Sequence, residues 1–272
     1  MKQAYKRNLC FFIVSIAFVC VVFILWWRFP LLGDGINKQT IYVGLSQAWQ
    51  GALNDTQAHA LWIDDDSTPG VFFVKEIADE IGMAPCFAVI ADNMEKEVAD
   101  SLASWQRQGA GIVLHGLQHR PWKGWGEAQI EEDIHQSYKR LYEQGFDTAR
   151  IMKMIVPPHG CNTRVIRKVI KRHGCQMITG ANLVNNGLCP FMLGRIGISA
   201  DTDIDEMRVL LQKAYDRRAF VIFTTHSSMF RAETKDTSGQ TPHGHEAVLT
   251  REKTKVVLKM AKEMGFCFNF SD

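Results

Sequence analysis

From about residue 59 onward, short apolar runs alternate with amphipathic segments, and this rhythm restricts the fold more than any single residue does. The strand-like runs are His59–Asp66, Pro85–Ala91, Gly111–His115, Arg150–Val156, Cys175–Thr179, Phe191–Ile198, Phe220–Thr225 and Phe266–Phe270. Between most of them lie segments with apolar residues three and four apart. These predict helices over Val71–Ile81, Met94–Gln108, Glu127–Gly145, Thr163–His173, Thr202–Arg218 (capped by Asp201) and Thr250–Met264. Strand and helix in regular alternation imply a parallel sheet. With about seven or eight such units in one domain, the α/β class predicted is a (β/α) barrel, whose functional groups sit at the C-terminal ends of its strands.

The first residues do not share this rhythm. Leu9 to Trp27 carries no charge, and at 1.5 Å per residue it spans roughly 28 Å, the hydrocarbon thickness of a bilayer. Lys2, Lys6 and Arg7 precede it, and Arg28 follows. The expected organisation is a cytoplasmic tail over 1–8, one transmembrane helix over 9–27, a linker and lead-in over 28–58, and the barrel over 59–272. The positive-inside rule keeps the N-terminus in the cytoplasm and places the barrel in the periplasm or another extracytoplasmic space, as in a single-pass inner-membrane protein. No small-x-small site follows the apolar segment, which favours an uncleaved anchor. Four of the 31 basic residues flank that anchor, so the rest of the chain is nearly neutral, which argues against a nucleic-acid partner. Of seven cysteines, Cys86, Cys161, Cys175, Cys189 and Cys267 lie outside the anchor. Their spacing gives no zinc knuckle, and leaves room for a disulfide without naming the pair.

The chemistry-bearing residues cluster at strand ends. His115-Gly-Leu-Gln-His119 follows the run Gly111–Leu114, and two imidazoles at that spacing can converge on one metal ion. Asp64-Asp65-Asp66 ends another run, Pro157-Pro158-His159-Gly160 a third, and His226 a fourth. Four strands delivering polar groups to one rim point to a site.

These residues resemble the polysaccharide deacetylases with the NodB-type domain, carbohydrate esterase family 4. Trp62-Ile63-Asp64-Asp65-Asp66 is similar to that family's Thr-Phe-Asp-Asp-Gly, and His115–His119 to its His-[Ser/Thr]-x-x-His. Val156–Gly160 resembles Arg-x-Pro-Tyr-Gly, and Phe223–His226 a strand ending Leu-x-His. The resemblance implies an irregular barrel, usually counted as seven-stranded, and a divalent metal, most commonly zinc, held by Asp65, His115 and His119. It further implies Asp64 as general base, the backbone N–H of His159 as oxyanion donor and His226 as general acid. Weaker candidates for substrate contact are Trp122 and Trp125, whose rings suit a sugar face, with Pro158 and Arg195.

The sequence departs from the family pattern in three places. Val156 stands where the family has the arginine that orients its base, and Arg195 or Arg164 is a candidate replacement. Asp66 replaces a glycine. The fourth motif is absent, with Asn182, Asp201 and Asp203 as weak stand-ins. The expected function is a membrane-anchored, metal-dependent N-deacetylase acting on an N-acylated amino sugar in a cell-envelope or lipid-linked glycan. Two alternatives are a type II membrane glycosyltransferase using Asp64-x-Asp66, which leaves the histidines unexplained, and a family member that only binds glycan.

Overall fold

The computed structural model describes residues 41–43, 57–185, 191–230 and 242–268. The tail over 1–8 and the apolar segment over 9–27 lie outside them, as do the lead-in except 41–43 and 57–58, and residues 269–272. Among the described residues no helix is long and apolar enough to cross a membrane. Residues Thr40–Asp272 form one compact unit.

Its strands are β1 (Ile41–Val43), β2 (His59–Asp64), β3 (Cys86–Val89), β4 (Gly111–Leu114), β5 (Met154–Ile155), β6 (Gln176–Ile178), β7 (Leu183–Asn185), β8 (Met192–Leu193), β9 (Ile196–Gly197) and β10 (Phe220–Thr225). Its helices are α1 (Val71–Ile81), α2 (Lys96–Arg107), α3 (Glu127–Glu143), α4 (Arg164–Arg172), α5 (Ile204–Asp216) and α6 (Pro242–Glu263). Helix α1 shows why the periodicity reads correctly. Val71, Val74, Ile77, Ala78 and Ile81 form its buried stripe, and Gly82, at φ 68°, stops it by donating to Ala78 and Asp79 carbonyls. Helix α5 starts at Ile204, with Asp203 rather than Asp201 as cap; its carboxylate accepts from the Asp205 and Glu206 amides. Helix α6 begins at Pro242 rather than Thr250, so His243 and His245 belong to the helix.

Strands β2 to β6 pair in sequence order, all parallel, and β10 pairs parallel with β2. The ring closes through an interrupted strand. β8 pairs with β6 (Met177↔Met192), and β9, two residues later, pairs with β10 (Phe223↔Ile196), both parallel. With Met192–Gly197 taken as one broken strand, the ring is a seven-stranded parallel barrel, as the resemblance implies. β7 and β1 lie outside that ring; β7 meets β10 antiparallel at Phe220↔Asn185, and β1 pairs with β7. The expected last strand reduces, among described residues, to a single bridge between His59 and Cys267.

Successive side chains of a strand point to opposite faces. Leu61, Ile63, Val113, Met154, Val156, Ile178, Leu193, Phe220 and Ile222 therefore pack together inside the barrel. Ala60, Trp62, Ile112, Leu114, Val221 and Phe223 face the helical layer in a second, larger core. The same alternation, carried one step past each strand, sends Asp65, His115 and His226 above the barrel interior and Asp64 toward the outer layer.

Candidate active site

Two adjacent carboxylates end β2. Asp64 is fully buried. The indole N–H of Trp62 donates to Thr225 Oγ1 at 2.9 Å, and Thr225 donates in turn to Asp64 Oδ1 at 3.2 Å. An indole can only donate, so the hydroxyl proton must point to the carboxylate. Oδ2 of Asp64 makes no hydrogen bond. Burial, and then the neighbouring Asp66 carboxylate, push the Asp64 carboxyl well above the ordinary range, with the Ser227 and Thr225 hydroxyls pulling the other way.

Asp65 is almost equally buried but has cationic company. Arg195 Nη1 donates to its Oδ2, and His226 Nε2 lies 3.6 Å from the same oxygen. Burial alone would raise this carboxyl; the polar groups packed around it, the His115 ring, the Arg195 guanidinium and the His226 ring, outweigh it and hold the group below its usual range, with Arg195 the permanent cation among them. Oδ1 has no hydrogen bond and lies 3.2 Å from His115 Nε2. His115 Nδ1 meets the Val156 carbonyl at 2.7 Å. A carbonyl only accepts, so Nδ1 carries the proton and Nε2 presents a lone pair in the neutral ring. Burial, ahead of the opposing pull of Asp65, lowers the His115 pKa and keeps that ring neutral.

Two lone pairs, Asp65 Oδ1 and His115 Nε2, thus face each other with no proton between them. That donor pair fits a divalent cation. His119 stands beside it: its ring centroid is 4.6 Å from that of His115 and 4.4 Å from that of His159, on which it stacks. Burial, then His115 and His159, lower its pKa to about 4. Among the described residues, no three His, Cys, Asp or Glu side chains form a ready-made metal cluster.

The loop carrying His119 is held along its length. Leu117 N–H donates to Asp133 of α3, and the Gln118 amide to Asp92. Gly116, at φ 83°, lies where a Cβ would come within 2.8 Å of the Pro158 ring. His119 itself adopts φ 56°, and its carbonyl lies 2.9 Å from His159 Nε2. His159 shares that left-handed conformation inside the turn Pro158–Gly160, whose hydrogen bonds are donated by Gly160 and Cys161.

The other residues singled out in the sequence separate by burial. Trp122 is fully buried, packed in the outer core beneath the loop, so its ring has no free face for a sugar. The expected substrate contact gives way to a packing role. Pro158 is likewise buried, against Gly116. Trp125 is partly buried against the same core. Arg195 reaches the site, but it pairs with Asp65 rather than with Asp64 as expected. Arg164 is exposed at the start of α4, and Asp203 is a helix cap. Both oxygens of Asp66 are taken, by the Ser67 amide at 2.8 Å and the Ser228 amide at 3.2 Å. Nothing among the described residues favours the Asp64-x-Asp66 metal pair that the glycosyltransferase alternative needs. Thr225, Asp133 and Asn185 do structural work that no motif announced. The four described cysteines, Cys86, Cys161, Cys175 and Cys267, are free thiols.

Residues 54–178 match the family model described as polysaccharide deacetylase. The chain carries a polysaccharide deacetylase domain. By that family it is a hydrolase acting on carbon–nitrogen bonds other than peptide bonds. Among solved structures the fold recurs in the Xyl-CE4 domain of a multidomain xylanase from the hindgut metagenome of Trinervitermes trinervoides. That likeness has a TM-score of 0.53 at 11% identity, covering 78% of this chain and 87% of that one. A family 4 acetyl xylan esterase from Clostridium thermocellum, with a cobalt ion, gives 0.52 at 13% identity over 77% and 87%. A polysaccharide deacetylase from Bacillus cereus gives 0.50 at 14% over 79% and 93%. No curated protein matches the chain.

Proposed function

We propose that this deacetylase domain is a metal-dependent N-deacetylase, anchored in the membrane by residues 9–27, that removes the acyl group from an amino sugar of a cell-envelope or lipid-linked glycan. The observation that carries the reading is the facing pair of lone pairs at Asp65 Oδ1 and His115 Nε2. His119, adjacent to His115, would complete the ligand set, with zinc the best fit to one carboxylate and two imidazoles. The Clostridium thermocellum esterase of like fold, in complex with a cobalt ion, supports the metal-dependent reading. A divalent ion held there would supply acidification of a water and polarisation of the acyl carbonyl.

The side chains divide the remaining work. Asp64 is the base: Thr225 fixes Oδ1, which leaves Oδ2 to accept a proton. The His159 amide lies outside its turn's hydrogen bonds and would donate to the developing oxyanion. His226 is half-exposed at the rim and held near Asp65 Oδ2, placed to protonate the departing amine. The anchor would set the barrel on the extracytoplasmic face of a membrane, within reach of envelope glycan.

The test is release of free amine from N-acetylated and N-formylated amino-sugar oligomers by the full chain. Release should stop with a chelator, resume with zinc, and disappear in Asp65→Ala together with the bound metal. Chelator-resistant turnover would sink the metal reading. Removal of residues 1–28 should move the protein from the membrane fraction to the soluble one, and retention in membranes would refute the anchor.

A further inference from the structure

We infer that Arg195 governs which divalent ion the rim accepts, by occupying one oxygen of Asp65. The inference rests on the metal-dependent reading above. The Arg195 side chain is only 11% exposed and donates to Asp65 Oδ2, the same oxygen that His226 approaches at 3.6 Å. Oδ1 alone is left without a hydrogen bond, facing His115 Nε2. Asp65 can therefore offer an ion a single oxygen. That suits zinc, which is satisfied by four ligands and favours imidazole nitrogen. It handicaps ions such as manganese, which prefer more oxygens.

The position of Arg195 is built, not incidental. Gly194 and Arg195 form the break between β8 and β9. The Asn185 side chain grips that break like a fork: its Oδ1 accepts from the Gly194 amide at 2.8 Å and its Nδ2 donates to the Gly194 carbonyl at 2.9 Å. The Arg195 amide donates to the Ala181 carbonyl at 3.0 Å. A Cβ on Gly194 would come within 2.2 Å of Leu183, so glycine is required there. The barrel interior below the site is apolar, with Val156 buried in it. The guanidinium thus comes from the broken strand and meets Oδ2 of the carboxylate.

The experiment measures the affinities of the metal-free full chain for zinc and for manganese, by competition with a chromophoric chelator, in the parent protein, Arg195→Met and Arg195→Lys. Loss of the guanidinium charge acts on both ions alike and cancels in their ratio, whereas a freed Oδ2 favours manganese. In Arg195→Met the zinc-to-manganese ratio should fall about tenfold or more, the scale on which outer ligand partners act. Arg195→Lys, which keeps one donor, should recover most of it. A ratio unchanged in Arg195→Met overturns the inference while leaving the metal reading intact, and so does a Lys variant as unselective as Met. A parent protein that binds neither ion overturns both.

Discussion

Asp64 and Asp65 are neighbours in the chain, equally dry, and electrostatically opposite. Strand alternation turns Asp64 to the outer layer, where it meets two hydroxyls and another carboxylate. It turns Asp65 over the barrel interior, where it meets a guanidinium and two imidazoles. Burial penalises both charges, but only Asp65 has a guanidinium beside it to offset that penalty. The difference shows how a single strand end can supply a proton acceptor and a cation ligand: one carboxylate is left eager for a proton, the other is held ionised.

The largest break in that comparison is Asp64→Asn. If Asp64 is the base, amine release should fall by roughly 10²–10⁴-fold with bound metal retained. Stability should move the other way in the metal-free protein. The folded-state pKa of Asp64 lies above its unfolded value, so the parent loses stability as pH rises from about 4 toward the folded pKa. The Asn variant has no such loss. It should therefore melt higher than the parent at neutral pH, and the gap should close on acidification to about pH 4. Thermal melts across that range decide it; a gap independent of pH would mean that Asp64 is not the strained charge described.

His226→Gln tests the Asp65 side and should cost somewhat less, about 10²-fold on an N-acetyl substrate. Its proposed task is to protonate a poor leaving group. An activated aryl acetate, whose leaving group departs unprotonated, should be hydrolysed nearly as fast as by the parent. Equal losses on amide and ester would remove the acid role.

Gly194→Ala acts on the same side from a distance. The added methyl collides with Leu183 at the broken strand, and overpacking of this kind costs about 1–3 kcal/mol. The loss should appear as a lowered denaturant midpoint, with a weakened hold of Arg195 on Asp65. A midpoint equal to the parent's would show that the strand break is not fixed as described.

The same contrast explains what the sequence made legible. Asp64, Asp65 and His115 follow uninterrupted strands, β2 and β4, whose apolar alternation is unmistakable and whose ends match known motifs. The helix stripe of α1 and the strand Phe220–Thr225 emerge at their predicted bounds for that reason. The partners of those residues carry no such signal. Arg195 sits in a two-residue break inside an apolar run that reads as one continuous strand. Its fork, Asn185, is in a short strand, β7, with no periodic signal. Trp122 looks like a sugar platform because it is aromatic and near the ligand loop, but only packing shows that it is buried. Local pattern reveals what a strand points at the rim; it does not reveal what reaches that residue from across the barrel.

The smallest effect belongs to a carboxylate whose cations sit in water. Glu131 of α3 accepts from Arg172 and lies 2.5 Å from His173 Nε2 across the α3–α4 surface. Burial is the largest single influence and raises it, and Arg172 and His173 together outweigh it and lower it on balance. Like Asp65, it is surrounded by positive charge; unlike Asp65, its side chain is 31% exposed against 3%. Solvent screens the attraction, so Glu131→Gln should cost only about 0–1 kcal/mol. The sign is that of a depressed carboxylate: its contribution is present above the unfolded pKa and fades as pH falls through the lower folded value. The small loss should therefore vanish in acid and shrink in high salt. A loss of several kcal/mol would mean that number of cations, rather than dryness, is what separates Asp65 from an ordinary surface pair, and the contrast drawn between the two carboxylates of β2 would have to be rebuilt on that basis.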